Sequence, residues 1–243
     1  NTGPSTSADP TNRAWDTTDV SVDITASDGG SGVDHIEYCW TTSASCTPST
    51  TASGSSTTTS QSSTGSWTLC HRAEDNNGNV GSTTCDGNYD IDKLDPASTI
   101  SPDGTDWRNA DVDFDVTCQD DDSGCDTIYW ELIDATGSCS SQGGFANSGA
   151  SASDTVSCLS GSVCEIDVCY YSTDVAGNTE STQRSNTFRI DKDLPEITIL
   201  DPANNSNFAV SGVTFNISST KEADWCGISV DGAPNETMTL NGT

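Results

Sequence analysis

Aspartate, asparagine and glycine recur in two matched sets along this chain, and together they offer the oxygen ligands a hard cation takes. In the first set Asp28 opens Asp-Gly-Gly-Ser-Gly32 and is answered downstream by Asp75, Asn77 and Asn79. In the second, Asp120, Asp121 and Asp122 are answered by Asp174 and Asn178. Calcium binds about six to eight oxygens from carboxylates, amides and backbone carbonyls. The expected ligands are therefore Asp28, Asp75, Asn77, Asn79, Asp120, Asp122, Asp174 and Asn178, with calcium as the cofactor. The same residue types build hairpin and Asx turns, and D-x-x-G-N needs no ion to form one. An EF-hand is excluded, because glycine falls at Gly81 after Asp75-x-Asn77-x-Asn79 and the distal glutamate is missing. Net charge favours the ion: 37 acidic residues against 8 basic ones give −29, and an extended acidic array repels itself unless cations bind.

Eleven cysteines are the second chemical signal. No paired C-x2-C knuckles occur and there are only two histidines, so zinc is a poor reading and disulfides a better one. Disulfides imply an exported protein, extracellular or on a cell surface. An export signal would then have been removed or lie outside these residues. Cys118 and Cys125 bracket the acidic loop and suit a clamp across it. Cys70 and Cys85 lie symmetrically about Asn77-Gly78, so a hairpin turning there sets them opposite each other. Cys39–Cys46 is a similar pair, with Cys39–Cys70 between neighbouring strands as a competitor. Spacing leaves the connectivity of Cys139, Cys158, Cys164 and Cys169 open. Cys226 is the odd one, with a partner expected beyond Thr243 or on another chain.

The elements that must position these groups are strands. Asp19–Ala26 reads D-V-S-V-D-I-T-A and Asp111–Thr117 reads D-V-D-F-D-V-T, each alternating apolar and polar with period two. Val213–Ser218 repeats the pattern as V-T-F-N-I-S. Second strands are predicted at His35–Trp40, Thr127–Ile133 and Trp225–Val230, and late strands at Trp67–Ala73 and Glu165–Ser172. Trp15, Asp19, Asp28, Gly32 and Ile36 reappear 92 residues on as Trp107, Asp111, Asp120, Gly124 and Ile128. Beyond the middle of the unit the spacing becomes 99, from Cys70, Asp75 and Asn79 to Cys169, Asp174 and Asn178. Loops tolerate such insertions and packed strands do not, so one fold is repeated in tandem. The expected architecture is all-β: tandem immunoglobulin-like antiparallel β-sandwich domains joined by short Asp/Pro linkers. Their ranges are 1–94, 95–193 and an incomplete 194–243. A half sandwich exposes open strand edges, so the third is expected to be completed by further chain or by another protomer.

The acidic balance makes nucleic acid an unsuitable partner. No apolar run is long enough for a membrane span in this segment. Asn204, Asn216, Asn235 and Asn241 each open an N-x-[ST] sequon, the signature of attached glycans. His35 and His71 have no counterparts in the second unit, and no carboxylate pair stands out from the rest, so an enzyme is not expected. The six tryptophans are expected in the core, with sugar stacking as the less favoured reading.

Tyr171-Ser-Thr-Asp-Val-Ala-Gly-Asn-Thr-Glu180, followed by Phe188-Arg-Ile-Asp-Lys-Asp-Leu-Pro195, resembles the end of Ig-like repeats in large bacterial and archaeal surface proteins, adhesins and stalks. The linkers carrying Asp92 and Asp95, and Asp191 and Asp193, are similar to the calcium-stiffened junctions of cadherins; a solvated connector made rigid by proline is the plainer alternative. The resemblance implies a structural subunit of an extracellular filament, stalk or surface layer, assembling head-to-tail from copies of itself. The alternative is a cell-surface adhesin or a carbohydrate-binding accessory module of a secreted enzyme.

Overall fold

A computed structural model describes residues 2–140, 144–208, 212–230 and 232–239. All regular structure among them is strand. The chain forms two compact units, Asn1–Ser157 with Cys164–Ile190, and Cys158–Val163 with Asp191–Thr243. No helix among the described residues is long and apolar enough to cross a membrane.

The first unit contains the same sandwich twice. In repeat one the strands are β1 (Ser5–Asp9), β2 (Arg13–Asp16), β3 (Val20–Ser27), β4 (Val33–Thr41), β5 (Thr50–Ser53), β6 (Ser56–Gln61), β7 (Gly65–Asp75) and β8 (Thr84–Ile91). They form a sheet ordered β1-β3-β6 and another ordered β2-β8-β7-β4-β5. All pairs are antiparallel except β2 beside β8, which is parallel. Repeat two follows with β9 (Ala97–Ser101), β10 (Thr105–Arg108), β11 (Val112–Gln119), β12 (Cys125–Asp134), β13 (Phe145–Ser148), β14 (Ser151–Val156), β15 (Val163–Asp174), β16 (Gln183–Arg184) and β17 (Phe188–Asp191). Its sheets run β9-β11-β14 and β10-β17-β15-β12-β13, with β16 added beside β15. This is an immunoglobulin-like β-sandwich. Register is kept between the copies: Ala8 faces Ile24 as Ile100 faces Val116. The residues added in repeat two are shared between the loops after β12 and after β14.

Period-two alternation builds the core. On β3, Val20, Val22 and Ile24 are buried while Ser21, Asp23 and Thr25 face out. They pack with Ile36, Leu69, Ala73, Tyr89 and Ile91 of the other sheet. Each valine, isoleucine or leucine among them contributes about 1.5–3 kcal/mol on burial. Trp40 meets Tyr89 edge to face at 5.2 Å and donates its indole N–H to Thr59 Oγ1 at 3.0 Å. Phe114, Val116, Ile128, Val168, Phe188 and Ile190 do the equivalent work in repeat two. Two tryptophans depart from the expected core. Trp107 is 53% exposed and Trp225 57%, the first because β10 presents three of its four residues to solvent.

The second unit has β18 (Ile197–Asp201) antiparallel to β19 (Asn216–Ser219), and β20 (Gly227–Ile228) antiparallel to β21 (Glu236–Thr237). These strands are shorter than the pattern predicts: Val213–Phe215 and Trp225–Cys226 lie outside them. Every residue of β18 is exposed. Ile197, Ile199, Phe208, Val213, Phe215 and Val230 line an open apolar groove.

Candidate metal centre where the linker meets repeat two

The D-x-x-G-N segments are turns that fold on their own aspartate. Asp75 accepts the backbone N–H groups of Asn77 and Asn79 on Oδ1 at 2.9 and 2.8 Å, and the Asn79 amide on Oδ2 at 2.8 Å. Asp174 accepts Gly177 and Asn178 N–H on Oδ1 at 2.7 and 2.8 Å, and the Asn178 amide on Oδ2 at 2.7 Å. The Asn79 amide, the Asn79 N–H and the Asn77 N–H together hold the Asp75 carboxyl at about 2. Gly78 and Gly177 sit at φ +84° and +102°, where a side chain would be strained.

The preceding acidic loops fold in the same manner. Asp28 Oδ2 accepts Gly30 and Gly32 N–H at 2.9 and 2.8 Å. Asp120 Oδ2 accepts Gly124 N–H at 2.5 Å. Gly32 and Gly124 take φ +82° and +84° at the same place in each loop.

A third contributor distinguishes repeat two. Asp92, in the linker directly after β8, is fully buried. Its N–H donates to Asp16 O at 3.0 Å in repeat one. Its carboxylate takes Leu94 N–H on Oδ1 and Ser123 N–H on Oδ2, each at 3.0 Å, and its carbonyl accepts the Asn178 amide at 3.0 Å. Carboxylate oxygens of Asp92, Asp120 and Asp174 thereby lie within 4.8 Å of one another. Asp122 stands close enough to feel them: burial, then the charges of Asp92, Asp120 and Asp121, push its carboxyl up. Carboxylates within 4.8 Å of each other repel by roughly 3 kcal/mol or more at an effective dielectric near 20. The N–H groups orient these oxygens but bring no net positive charge. Among the described residues no lysine or arginine is bonded to any of the four. Oxygen-only donors, high negative charge and free lone pairs on each carboxylate fit a hard divalent cation such as calcium. Asp92, Asp120 and Asp174 would hold it, with the Asp122 charge beside them.

The remaining expected ligands have other positions. Asn178 turns its amide nitrogen to Asp92 O and Asp174 Oδ2 and so ties the linker to the turn. Asn79 likewise gives its amide nitrogen to Asp75. Asn77 is exposed, and Asp95 is an exposed linker residue outside the cluster. In the second unit Asp191 and Asp193 meet an ammonium: Lys221 Nζ lies 2.7 Å from Asp191 Oδ1 and 3.3 Å from Asp193 Oδ2. Lys221 follows β19 as the aspartate triplet follows β11. Its hydrogen bond lowers the Asp191 carboxyl, and Asp191 in turn raises the lysine. A lysine supplies here the charge that a cation would supply at Asp92. His71 is buried between Thr6 Oγ1 at 2.7 Å and Asp86 Oδ2 at 2.8 Å, and His35 stands beside Asp34.

Disulfides join Cys39–Cys46, Cys70–Cys85, Cys118–Cys125 and Cys139–Cys169. Cys158 and Cys164 are disulfide-bonded as well. The Cys39–Cys70 alternative is not the bond formed. Among the described residues Cys226 is free. Cys118–Cys125 clamps the loop that carries Asp120 and Asp122. Asn204, Asn216 and Asn235 are exposed, and Asn241 lies outside the described residues.

No protein-family model matches the chain, and no curated protein matches it. Among solved structures it is similar to the fibronectin(III)-like modules of Clostridium thermocellum CbhA, at 11% identity and a TM-score of 0.33. That match covers 77% of this chain and 93% of the other. So distant a likeness says nothing of function, and the fold assignment rests on strand order and register.

Proposed function

We propose that this chain is a structural segment of an extracellular filament, stalk or surface layer, with a calcium ion held where the linker meets repeat two. The supporting observation is the burial of Asp92. A connector residue that only spans two domains stays solvated, whereas this one is anchored to Asp16 on one side and to Ser123 and Asn178 on the other. Binding there would set the orientation of the two sandwiches and relieve the repulsion among Asp92, Asp120, Asp122 and Asp174. Disulfides fit an oxidising exterior, and the exposed sequon asparagines fit attached glycans. The apolar groove beside β18 fits completion by further chain or by another copy, which would propagate head-to-tail.

Calcium titration by calorimetry, paired with electron microscopy, tests the reading. The protein should bind calcium saturably, Asp92→Asn should weaken binding at least tenfold, and images with calcium should show regular fibres or straight rods. Unchanged affinity in Asp92→Asn removes the junction site. Isolated particles that saturably bind an oligosaccharide favour the carbohydrate-binding alternative, for which exposed Trp107 offers a stacking surface.

A further inference from the structure

The two disulfides of repeat one form a single sulfur cluster. Cys39, Cys70 and Cys85 stand in one cross-strand row over β4, β7 and β8, with Cys39 opposite Cys70 and Cys70 opposite Cys85. Residues directly opposite in neighbouring strands project to the same face. That face is the outer one, since Leu69 and Ala73 on alternate positions of β7 point into the core. The loop after β4 folds back over the row and brings in Cys46. Sulfurs of Cys39, Cys46 and Cys70 lie within 4.8 Å of one another, and the Cys46 N–H points at Cys70 Sγ at 3.4 Å. Cys70 is buried while Cys85 is exposed.

Repeat two displays the other pairing of the same positions. Its row is Glu131, Cys169 and Arg184, with Cys169 at the place of Cys70. There the cysteine in the loop after β12, Cys139, bonds to Cys169. The equivalent bond in repeat one would be Cys46–Cys70. This fold therefore accommodates a bond from that loop to the central strand, and repeat one holds both partners ready beside an existing disulfide.

We infer that repeat one is a thiol-capture site, at which an external thiol becomes bonded to Cys85 while the two disulfides exchange partners. The incoming thiolate attacks Cys85 Sγ, forming the mixed disulfide and breaking Cys70–Cys85, so that the electron pair leaves on Cys70. The Cys46 N–H stabilises that thiolate. Cys70 then attacks Cys46 Sγ, forming Cys46–Cys70 and breaking Cys39–Cys46, and the pair leaves on Cys39, which takes up a proton from water. One thiolate enters and one thiol results. The number of disulfides stays at two: one internal bond and one mixed bond replace two internal bonds, the Cys39 thiol replaces the entering one, and no oxidant or reductant is consumed.

The probe is cysteamine, whose positive charge suits a chain of net charge −29. Native protein carrying Cys226→Ser is incubated with it near pH 8, quenched in acid, alkylated and mapped by mass spectrometry. The expected product carries cysteamine on Cys85, a Cys46–Cys70 bond and an alkylated Cys39. No adduct, or an adduct with Cys39–Cys46 intact and Cys70 alkylated, overturns the inference. Cys85→Ser gives an independent check, since it leaves Cys70 as a thiol without any added reagent. Alkylation divided between Cys39 and Cys70 is expected there, and alkylation at Cys70 alone overturns the exchange.

Discussion

Asp75 organises its turn by accepting three N–H groups, and the consequence at residue scale is a dependence on pH. The Asp75 carboxyl is held at about 2 in the folded chain, below the value near 3.9 of a free aspartate. A group depressed on folding contributes stability that is present above its unfolded pKa and lost as pH falls through the folded one. The melting temperature of the native protein should exceed that of Asp75→Ala by a roughly constant margin from pH 7 to pH 5. The margin should then narrow from pH 4 toward pH 2, followed by circular dichroism. A margin independent of pH would mean that the side chain acts through packing alone.

Among the elements, the β11–β12 connection shows how turn chemistry places chemical groups. Gly124 combines φ +84° with an N–H given to Asp120 and a carbonyl that accepts Val175 N–H at 2.9 Å. A Cβ added there meets nothing within 4 Å, so a substitution acts through the backbone and not through a clash. Gly124→Ala should cost about 1–2 kcal/mol, the strain of a left-handed residue bearing a side chain. Denaturant unfolding measures it, and a neutral result would show that the loop relaxes without needing that conformation. The same substitution should also weaken calcium binding, because it displaces Asp120 and Asp122 from Asp92.

For the whole molecule, charge is the governing quantity. With 37 acidic residues against 8 basic ones, ions that bind only the folded chain stabilise it by mass action, by about 2.7 kcal/mol when their concentration is a hundredfold above the dissociation constant. Removing calcium with EDTA under non-reducing conditions should lower the melting temperature by several degrees, and excess calcium should restore it while magnesium restores less. Scanning calorimetry reads both arms. A melting curve unmoved by chelator leaves the acidic loops as turns and nothing more.

Much of the fold was legible because its causes are local. Period-two alternation in Val20–Ile24 and Val112–Val116 dictates strands with one buried face, and matched spacing shows that the pattern occurs again. Cys70–Cys85 and Cys118–Cys125 follow from turns lying between the two partners. Short separations leave few ways to close. Other features depend on which surfaces meet after the sheets have stacked. Cys139–Cys169 links positions 30 apart, with two strands between them. Neither Trp107 facing solvent nor Lys221 neutralising Asp191 has a signal in local spacing. The junction illustrates both levels: residue types in the linker and loops identified oxygen donors, but Asp92 and Asp95 looked alike along the chain. Only the packing of Asp16, Ser123 and Asn178 around the linker buries Asp92 beside Asp120 and Asp174 and leaves Asp95 in water, because a side chain's surroundings are set by residues distant in sequence.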